Sequence, residues 1–141
     1  MATDVKKIIN DYVSAMNSHD VNKAVSLWAD NGVYENLGTE SVMHGKKELT
    51  DMLSASFVDI PDAKYELKSL FGANDWACTE WVLSGTHAHS SLSKIPATGK
   101  TFSLRGASIV QFRGGKIARE TDYYNLTTFL QQVGLMPGQP K

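Results

Sequence analysis

The sequence predicts an α+β fold in which a strongly curved antiparallel sheet wraps around N-terminal helices and encloses a cavity. Two patterns predict it. Residues 5–57 carry three stretches in which apolar residues follow helical spacing, whereas residues 65–125 carry four stretches of strand-like composition. This order favours α+β, because a parallel sheet needs helices and strands that alternate. A curved sheet packed on helices leaves a cone, whose open end can admit a small apolar molecule.

The length and charge of the chain narrow its function. Its 141 residues, 42% hydrophobic and 21% charged, predict one domain over residues 1–141. The net charge of −1 comes without a basic stripe, so we expect no nucleic-acid partner and no membrane partner. Residues 1–20 lack a continuous apolar run, so we expect no signal peptide and a cytoplasmic protein. The single cysteine, Cys78, is expected to be a buried thiol.

Three helices are predicted in the first half of the chain. Thr3 can cap the first, whose apolar stripe is Val5, Ile8, Ile9, Tyr12, Val13 and Met16. Asp20 can cap the second helix, whose apolar stripe runs to Trp28. This helix is expected to end at Asn31–Gly32. The third follows Gly45 and carries Leu49, Met52, Leu53 and Phe57.

The strands are predicted from β-branched and aromatic content and from turn residues. A short strand over 33–37 is expected to have a partner around 41–43. Four long strands follow, near 65–71, 77–86, 101–113 and 116–125, with Gly114–Gly115 as the last hairpin turn. Residues 89–100 predict a loop at the cavity mouth, and a short helix closes the chain.

Polar residues in two of these strands predict a site. Tyr34 and Asn36 are two apart and therefore share a face, and Asp122 interrupts an otherwise apolar last strand. A regular turn at Gly114–Gly115 would place Asp122 opposite Ala107. The same register would put Arg105, Asp122 and Tyr124 on one face.

Three segments resemble a known group of proteins. They read NSHDVNKAVSLWADNGVYEN, TEWVLSGTH and ATGKTFSLRGASIVQFRGGKIARETDYYNLTTFLQQVG. The chain resembles the nuclear transport factor 2-like superfamily over nearly its whole length, and within it the SnoaL-like polyketide cyclases. The resemblance implies a cone fold, a homodimer, and an aspartate on the last strand as acid/base, which by position is Asp122. It is compatible with ketosteroid isomerase-like chemistry and also with domains that have no catalytic activity.

A partial similarity to limonene-epoxide hydrolases is carried by Tyr34, Asn36 and Asp122, which match the residues that hold a catalytic water there. Those hydrolases also need an Arg-x-Asp pair on a middle strand, where this sequence has Trp81 and Leu83. An indole and an isobutyl group cannot protonate an epoxide oxygen, so epoxide hydrolysis is disfavoured. They make the predicted pocket drier and better suited to a flat or aliphatic ligand.

Two interpretations of Asp122 stay open. It can be a general base that removes a proton next to a carbonyl group, with Tyr34, Asn36 and Arg105 orienting the substrate and stabilising an enolate. Alternatively, Asp122 forms a buried salt bridge with Arg105 and serves the structure. Tyr124 is expected in the pocket wall.

His87 and His89 form a His-x-His pair at a strand end, a spacing that metal ligands use. No third ligand is evident in the sequence, so we expect no metal. The resemblance to the SnoaL-like branch, which often has a histidine after Gly-Thr, implies that His87 edges the pocket.

Two functions follow from these observations. The first is a cofactor-free enzyme of the cyclase or isomerase class, acting through Asp122 on a small hydrophobic carbonyl compound. The second is a non-catalytic module that binds a ligand or dimerises through its sheet. An open cavity at Asp122 would favour the first, and a closed Arg105–Asp122 pair would favour the second.

Overall fold

The computed structural model describes residues 3–91 and 95–138, so residues 92–94 of the predicted loop lie outside the described part. The helices in these ranges are α1 (Val5–Asn17), α2 (Val21–Ser26), α3 (Gly45–Asp59) and α4 (Leu126–Gln132). The strands are β1 (Trp28–Asn36), β2 (Ser41–His44), β3 (Lys64–Ala73), β4 (Trp76–Thr86), β5 (Thr101–Arg113) and β6 (Lys116–Tyr124). None of the helices within these ranges is long and apolar enough to cross a bilayer.

The six strands form one curved, unclosed sheet in the order β2-β1-β6-β5-β4-β3. The α+β prediction is confirmed. The prediction of a purely antiparallel sheet is wrong in one place, because β1 runs parallel to β6. The long connection through β2, α3 and three further strands allows this parallel pairing, which no tight hairpin could make. It places Tyr34 beside Glu120 and Asn36 beside Asp122.

The start of the fold differs from the prediction at two positions. Asp4, not Thr3, caps α1, because its carboxylate accepts from the Lys7 amide at 3.1 Å. The second helix ends at Ser26 and Trp28 begins β1, although the apolar stripe continued through it. Trp28 pairs with Ile117 of β6, so tertiary pairing overrides the local helical pattern.

The main core lies between the helices and the inner face of the sheet. Its largest fully buried side chain is Trp28, which contacts Tyr12 of α1 edge to face at 6.3 Å between ring centroids. A second, smaller cluster of Phe102, Leu104 and Val133 lies under α4. The space between the two clusters stays unfilled and forms the cavity.

A β-bulge determines which face Asp122 occupies. Arg113 pairs with Lys116 as the turn predicts, but Phe112 pairs with Ile117 and Gln111 with Arg119, so β6 contains one extra residue, Ala118. Asp122 consequently pairs with Ser108 rather than with Ala107. A shift of one residue moves a side chain to the opposite face of a sheet, so the predicted register was wrong.

The outer face of the sheet carries Cys78, which is half-buried rather than buried as predicted. It lies in a row across four strands, between Phe71 of β3 and Ile109 of β5. Thr121 of β6 completes the row. Phe71 and Ile109 are exposed, so this row forms an apolar part of the surface.

Candidate active site

A cavity of about 460 Å³ lies between α1, α3, α4 and the inner face of the sheet. Its volume is within the usual range of small-molecule sites, and most of its wall is apolar. The polar or titratable side chains around it include Tyr34, Asn36, Asp59, Trp81, His87, Ser108, Glu120, Asp122 and Tyr124. The cavity therefore brings together every predicted site residue except Arg105, with Leu83 as part of its apolar wall.

Asp122 lies half-buried in the cavity wall with a hydroxyl donor on each carboxylate oxygen. The Tyr34 hydroxyl donates to Oδ2 at 2.6 Å and the Ser108 hydroxyl donates to Oδ1 at 2.5 Å. Each oxygen keeps a further lone pair, because a carboxylate oxygen can accept two hydrogen bonds. The carboxylate is thus fixed in orientation while it can still accept a proton.

Trp81 determines the direction of one of these hydrogen bonds. Its Nε1 donates to Ser108 Oγ at 2.8 Å. An indole N–H is only a donor, so Ser108 Oγ accepts from Trp81 and its own hydrogen points to Asp122. Trp81 is therefore a cavity wall and also the orienting group for Ser108.

Asn36 is held in place by two hydrogen bonds. Its Oδ1 accepts from the Tyr124 hydroxyl at 2.7 Å and from the Thr39 backbone amide at 3.1 Å. Because a backbone N–H can only donate, the amide oxygen is identified unambiguously. The Asn36 Nδ2 group is then left to donate to a molecule in the cavity.

Tyr34 stays a neutral phenol over the physiological pH range. Burial raises its pKa well above the usual value, and the nearby Asp122 and Glu120 carboxyl groups raise it further. A neutral phenol keeps its proton and remains a donor to Asp122.

Glu120 is, like Ser108, a cavity residue that the sequence interpretation missed. It lies two residues before Asp122 on β6 and lines the same cavity, buried to 7% exposure. Burial and the Asp122 carboxylate raise its pKa well above the usual value. The signal was present, because Glu120 and Asp122 are separated by the two-residue period of a strand.

Arg105 does not belong to the site. Its side chain is exposed on the outer face of the sheet. Its neighbours in β5, Leu104 and Gly106, face the inner side, because successive residues of a strand point to opposite faces. The predicted Arg105–Asp122 salt bridge is therefore absent, and the physical cause is the bulge at Ala118. The interpretation of Asp122 as one half of a structural ion pair with Arg105 is wrong.

The two histidines at the end of β4 do not act together. His87 is buried and packs edge to face against Phe129 of α4 at 5.3 Å between ring centroids, whereas His89 is exposed. Both lie beyond Thr86, the last residue of β4, where strand geometry no longer holds their rings parallel. Within residues 3–91 and 95–138, no three His, Cys, Asp or Glu side chains form a group that could hold a metal ion.

Gly106 provides the space that the Trp81 indole occupies. A Cβ atom at this position would lie 2.2 Å from Trp81 Cη2. We expect Gly106→Ala to displace the indole, release Ser108 from Trp81 and weaken the binding of a neutral hydrophobic fluorophore such as Nile red about tenfold or more. Fluorescence titration measures this. Gly138→Ala is the control, since nothing lies within 4 Å of its added Cβ, and equal affinity of both variants would contradict the arrangement.

The curved sheet, the helices that close it and the cavity between them define a class of small α+β proteins with a cone-shaped fold. The chain matches the SnoaL-like polyketide cyclase family over residues 6–133, and it belongs to that family. The partial resemblance to limonene-epoxide hydrolases gains no support from this match. Trp81 and Leu83, both uncharged, line the cavity.

Solved structures show the same fold at low sequence identity. TsrD from Streptomyces laurentii is 21% identical, with a TM-score of 0.82 over 94% of this chain and 96% of that one. A protein from Catenulispora acidiphila with a ketosteroid isomerase-like fold, crystallised with trimethylamine, is 22% identical, with a TM-score of 0.80 over 98% and 99%. IdmH from Streptomyces antibioticus, described as a candidate polyketide cyclase, is 20% identical, with a TM-score of 0.77 over 93% and 99%.

Proposed function

We propose that the protein catalyses a cofactor-free proton transfer on a small hydrophobic carbonyl compound, as a cyclase or isomerase does, with Asp122 as the general base. One observation carries the proposal: Asp122 projects into a largely apolar cavity, both of its oxygens are oriented by hydroxyl groups, and no lysine or arginine of the described part of the chain lines that cavity. A structural carboxylate would be expected to pair with a positive charge, whereas a base needs a free lone pair and room for the substrate.

The proposed step removes a proton from the carbon next to the carbonyl group. Asp122 accepts this proton, the C–H bond breaks, and its electrons move to the carbonyl oxygen to give an enolate. The apolar wall supports the reaction because it keeps water away from the negative charge of the enolate. Each hydrogen bond from the protein to that charge is then stronger than it would be in water.

Asn36 is the residue that we assign to the enolate oxygen. Its oxygen is engaged by Tyr124 and Thr39, so its Nδ2 hydrogens are directed elsewhere and can donate to the substrate. Trp81 and Leu83 would hold the body of the substrate, and His87 would contact its far end beside Phe129. These assignments replace the predicted role of Arg105.

The test uses exchange of carbon-bound hydrogen in D2O. A panel of neutral hydrophobic monoketones, for example 2-tetralone, is incubated with the protein, and deuterium at the carbon next to the carbonyl group is measured by mass spectrometry. We expect protein-dependent exchange for panel members that fit the cavity. If such compounds bind but none exchanges faster than in buffer, the protein is a binding module and not an acid/base enzyme.

We also propose that two copies of the chain pair through the outer face of the sheet. Phe71 and Ile109 are exposed in one cross-strand row, and Tyr123, two residues after Thr121 on the same face of β6, is 47% exposed. Such an apolar patch is typical of an interface.

Ile109→Glu would place a charge in the centre of that patch, and we expect it to convert a dimer into a monomer. Light scattering after size-exclusion chromatography reports the mass. Lys47→Glu, on the exposed surface of α3, is the control and should keep the wild-type mass. A monomeric wild-type protein would overturn the proposal.

A further inference from the structure

Glu120 is a buried carboxyl group that has no role in the proton transfer proposed for Asp122. Both side chains point to the inner face of β6 and line the same cavity. The oxygens of Asp122 have two hydroxyl donors, whereas Glu120 Oε1 is buried and has no hydrogen-bond partner in the part of the chain that the structure describes. An unsatisfied buried carboxyl oxygen is costly and calls for an explanation.

Within residues 3–91 and 95–138, no positively charged side chain lines the cavity at this pair. The titratable groups that interact with it are tyrosines from four elements: Tyr12 of α1, Tyr34 of β1, Tyr65 of β3 and Tyr124 of β6. Strands β4 and β5 contribute Thr79, Trp81 and Ser108 around it, none of which carries a charge. The other titratable residues that line the cavity are Asp59 and His87, and they lie at its opposite end. At that end Thr86 of β4 pairs with Thr101 of β5, and the Asp59 carbonyl accepts a hydrogen bond from the amide of Ala88.

The absence of a cation limits the pair to one negative charge. Among the described residues no lysine or arginine lines the cavity, and neither carboxyl group takes part in an ion pair. Two ionised carboxylates next to each other in an apolar cavity repel, so one keeps its proton. Glu120 is that member, because it is the more deeply buried and Asp122 accepts from Tyr34 and Ser108.

We propose that Glu120 and Asp122 share one proton at neutral pH, with Glu120 as a positioning residue that stores it and thereby determines when Asp122 acts as a base. This inference rests on the proposed function. During the step, the substrate proton moves to Asp122, the enolate receives the C–H electrons, and Glu120 keeps its proton. The pair and the substrate together therefore carry one negative charge before and after the step. The substrate class that fits is a carbonyl compound that is neutral where it reaches the pair.

The pair has a pH limit that follows from its charge. Above the pH at which Glu120 ionises, a second negative charge would lie beside the enolate and oppose its formation. The same ionisation lowers stability: the folded state binds this proton more tightly than the unfolded chain, so the free energy of unfolding falls as pH rises through the folded-state pKa of Glu120. A glutamine at position 120 cannot ionise, so Glu120→Gln should abolish both the loss of rate and the loss of stability at high pH.

Carbon-13 NMR of protein labelled at the glutamate side-chain carboxyl carbon tests the pair without any substrate. We expect one resonance, absent in Glu120→Gln, to titrate well above the exposed glutamates. In Asp122→Asn this resonance should titrate at lower pH, because the neighbouring charge is gone. Glu66→Gln, on the surface of β3, is the control and should leave that resonance unchanged. A Glu120 resonance that titrates with the exposed glutamates, or that Asp122→Asn does not move, would overturn the inference.

The NMR titration tests the one-proton pair and the exchange assay tests the proposed catalytic function, so either proposal can be rejected without the other. Titration of Glu120 as expected, together with no exchange of any ketone that binds, would leave the one-proton pair standing and reject the catalytic role. Where exchange is observed, Glu120→Gln should abolish the fall in rate at high pH while the wild-type protein and Glu66→Gln keep it. An unchanged high-pH fall in Glu120→Gln would show that Glu120 does not control Asp122.

Discussion

Asp122→Asn is expected to lower the rate of hydrogen exchange on a bound ketone by roughly 10²–10⁴-fold, the usual contribution of a general base. The amide keeps the shape of the side chain but loses the lone pair that takes the proton. Ligand affinity should change by no more than a few fold, because the cavity wall is otherwise preserved. The measurement is kcat/KM and KM for deuterium incorporation with the best ketone of the panel.

Asp30→Asn is the matched control for that variant. Asp30 has a side chain that is 99% exposed and lies on β1 outside the cavity. The control should retain the wild-type rate. An Asp122→Asn protein with wild-type exchange would remove Asp122 from the mechanism, whatever the fate of ligand binding.

The second large effect is on stability. Trp28→Ala should lower the free energy of unfolding by about 3–5 kcal/mol, because it deletes a fully buried indole and the surrounding structure relaxes only in part. The loss is large since Trp28 joins α1, through Tyr12, to the parallel pairing of β1 and β6. Urea denaturation followed by circular dichroism measures the change.

Leu37→Ala is the control for this deletion, because Leu37 is 41% exposed at the end of β1. It should cost less than about 1 kcal/mol. If both variants unfolded at the same urea concentration, Trp28 would not be the centre of the core.

The helices were predictable from their apolar period, which the α1 stripe follows closely. The long strands over 101–113 and 116–124 were predictable from their β-branched and aromatic content and from the Gly114–Gly115 turn between them. Trp28 was not predictable in this way, because its place in β1 depends on Ile117, which lies far along the chain. The parallel β1–β6 pairing is a long-range arrangement of the same kind.

Most of the residues that the sequence singled out line the cavity, but the sequence did not predict their geometry. Tyr34, Asn36 and Asp122 meet in one cavity as expected. The extra residue Ala118 decided that Asp122 meets Ser108 and not Arg105, and a turn-based register cannot foresee a bulge. The bulge was indicated in the sequence by Ile117 and Ala118, two adjacent apolar residues that interrupt the alternation of the strand.

A crystal structure with a neutral cyclic ketone bound in the cavity tests the central claim most directly. The account predicts that the acidic carbon of the ligand lies within about 3.5 Å of a carboxylate oxygen of Asp122, with a carbonyl oxygen at Asn36 Nδ2. A ligand whose carbonyl group lies at the His87 end, away from Asp122, would contradict the proposed chemistry.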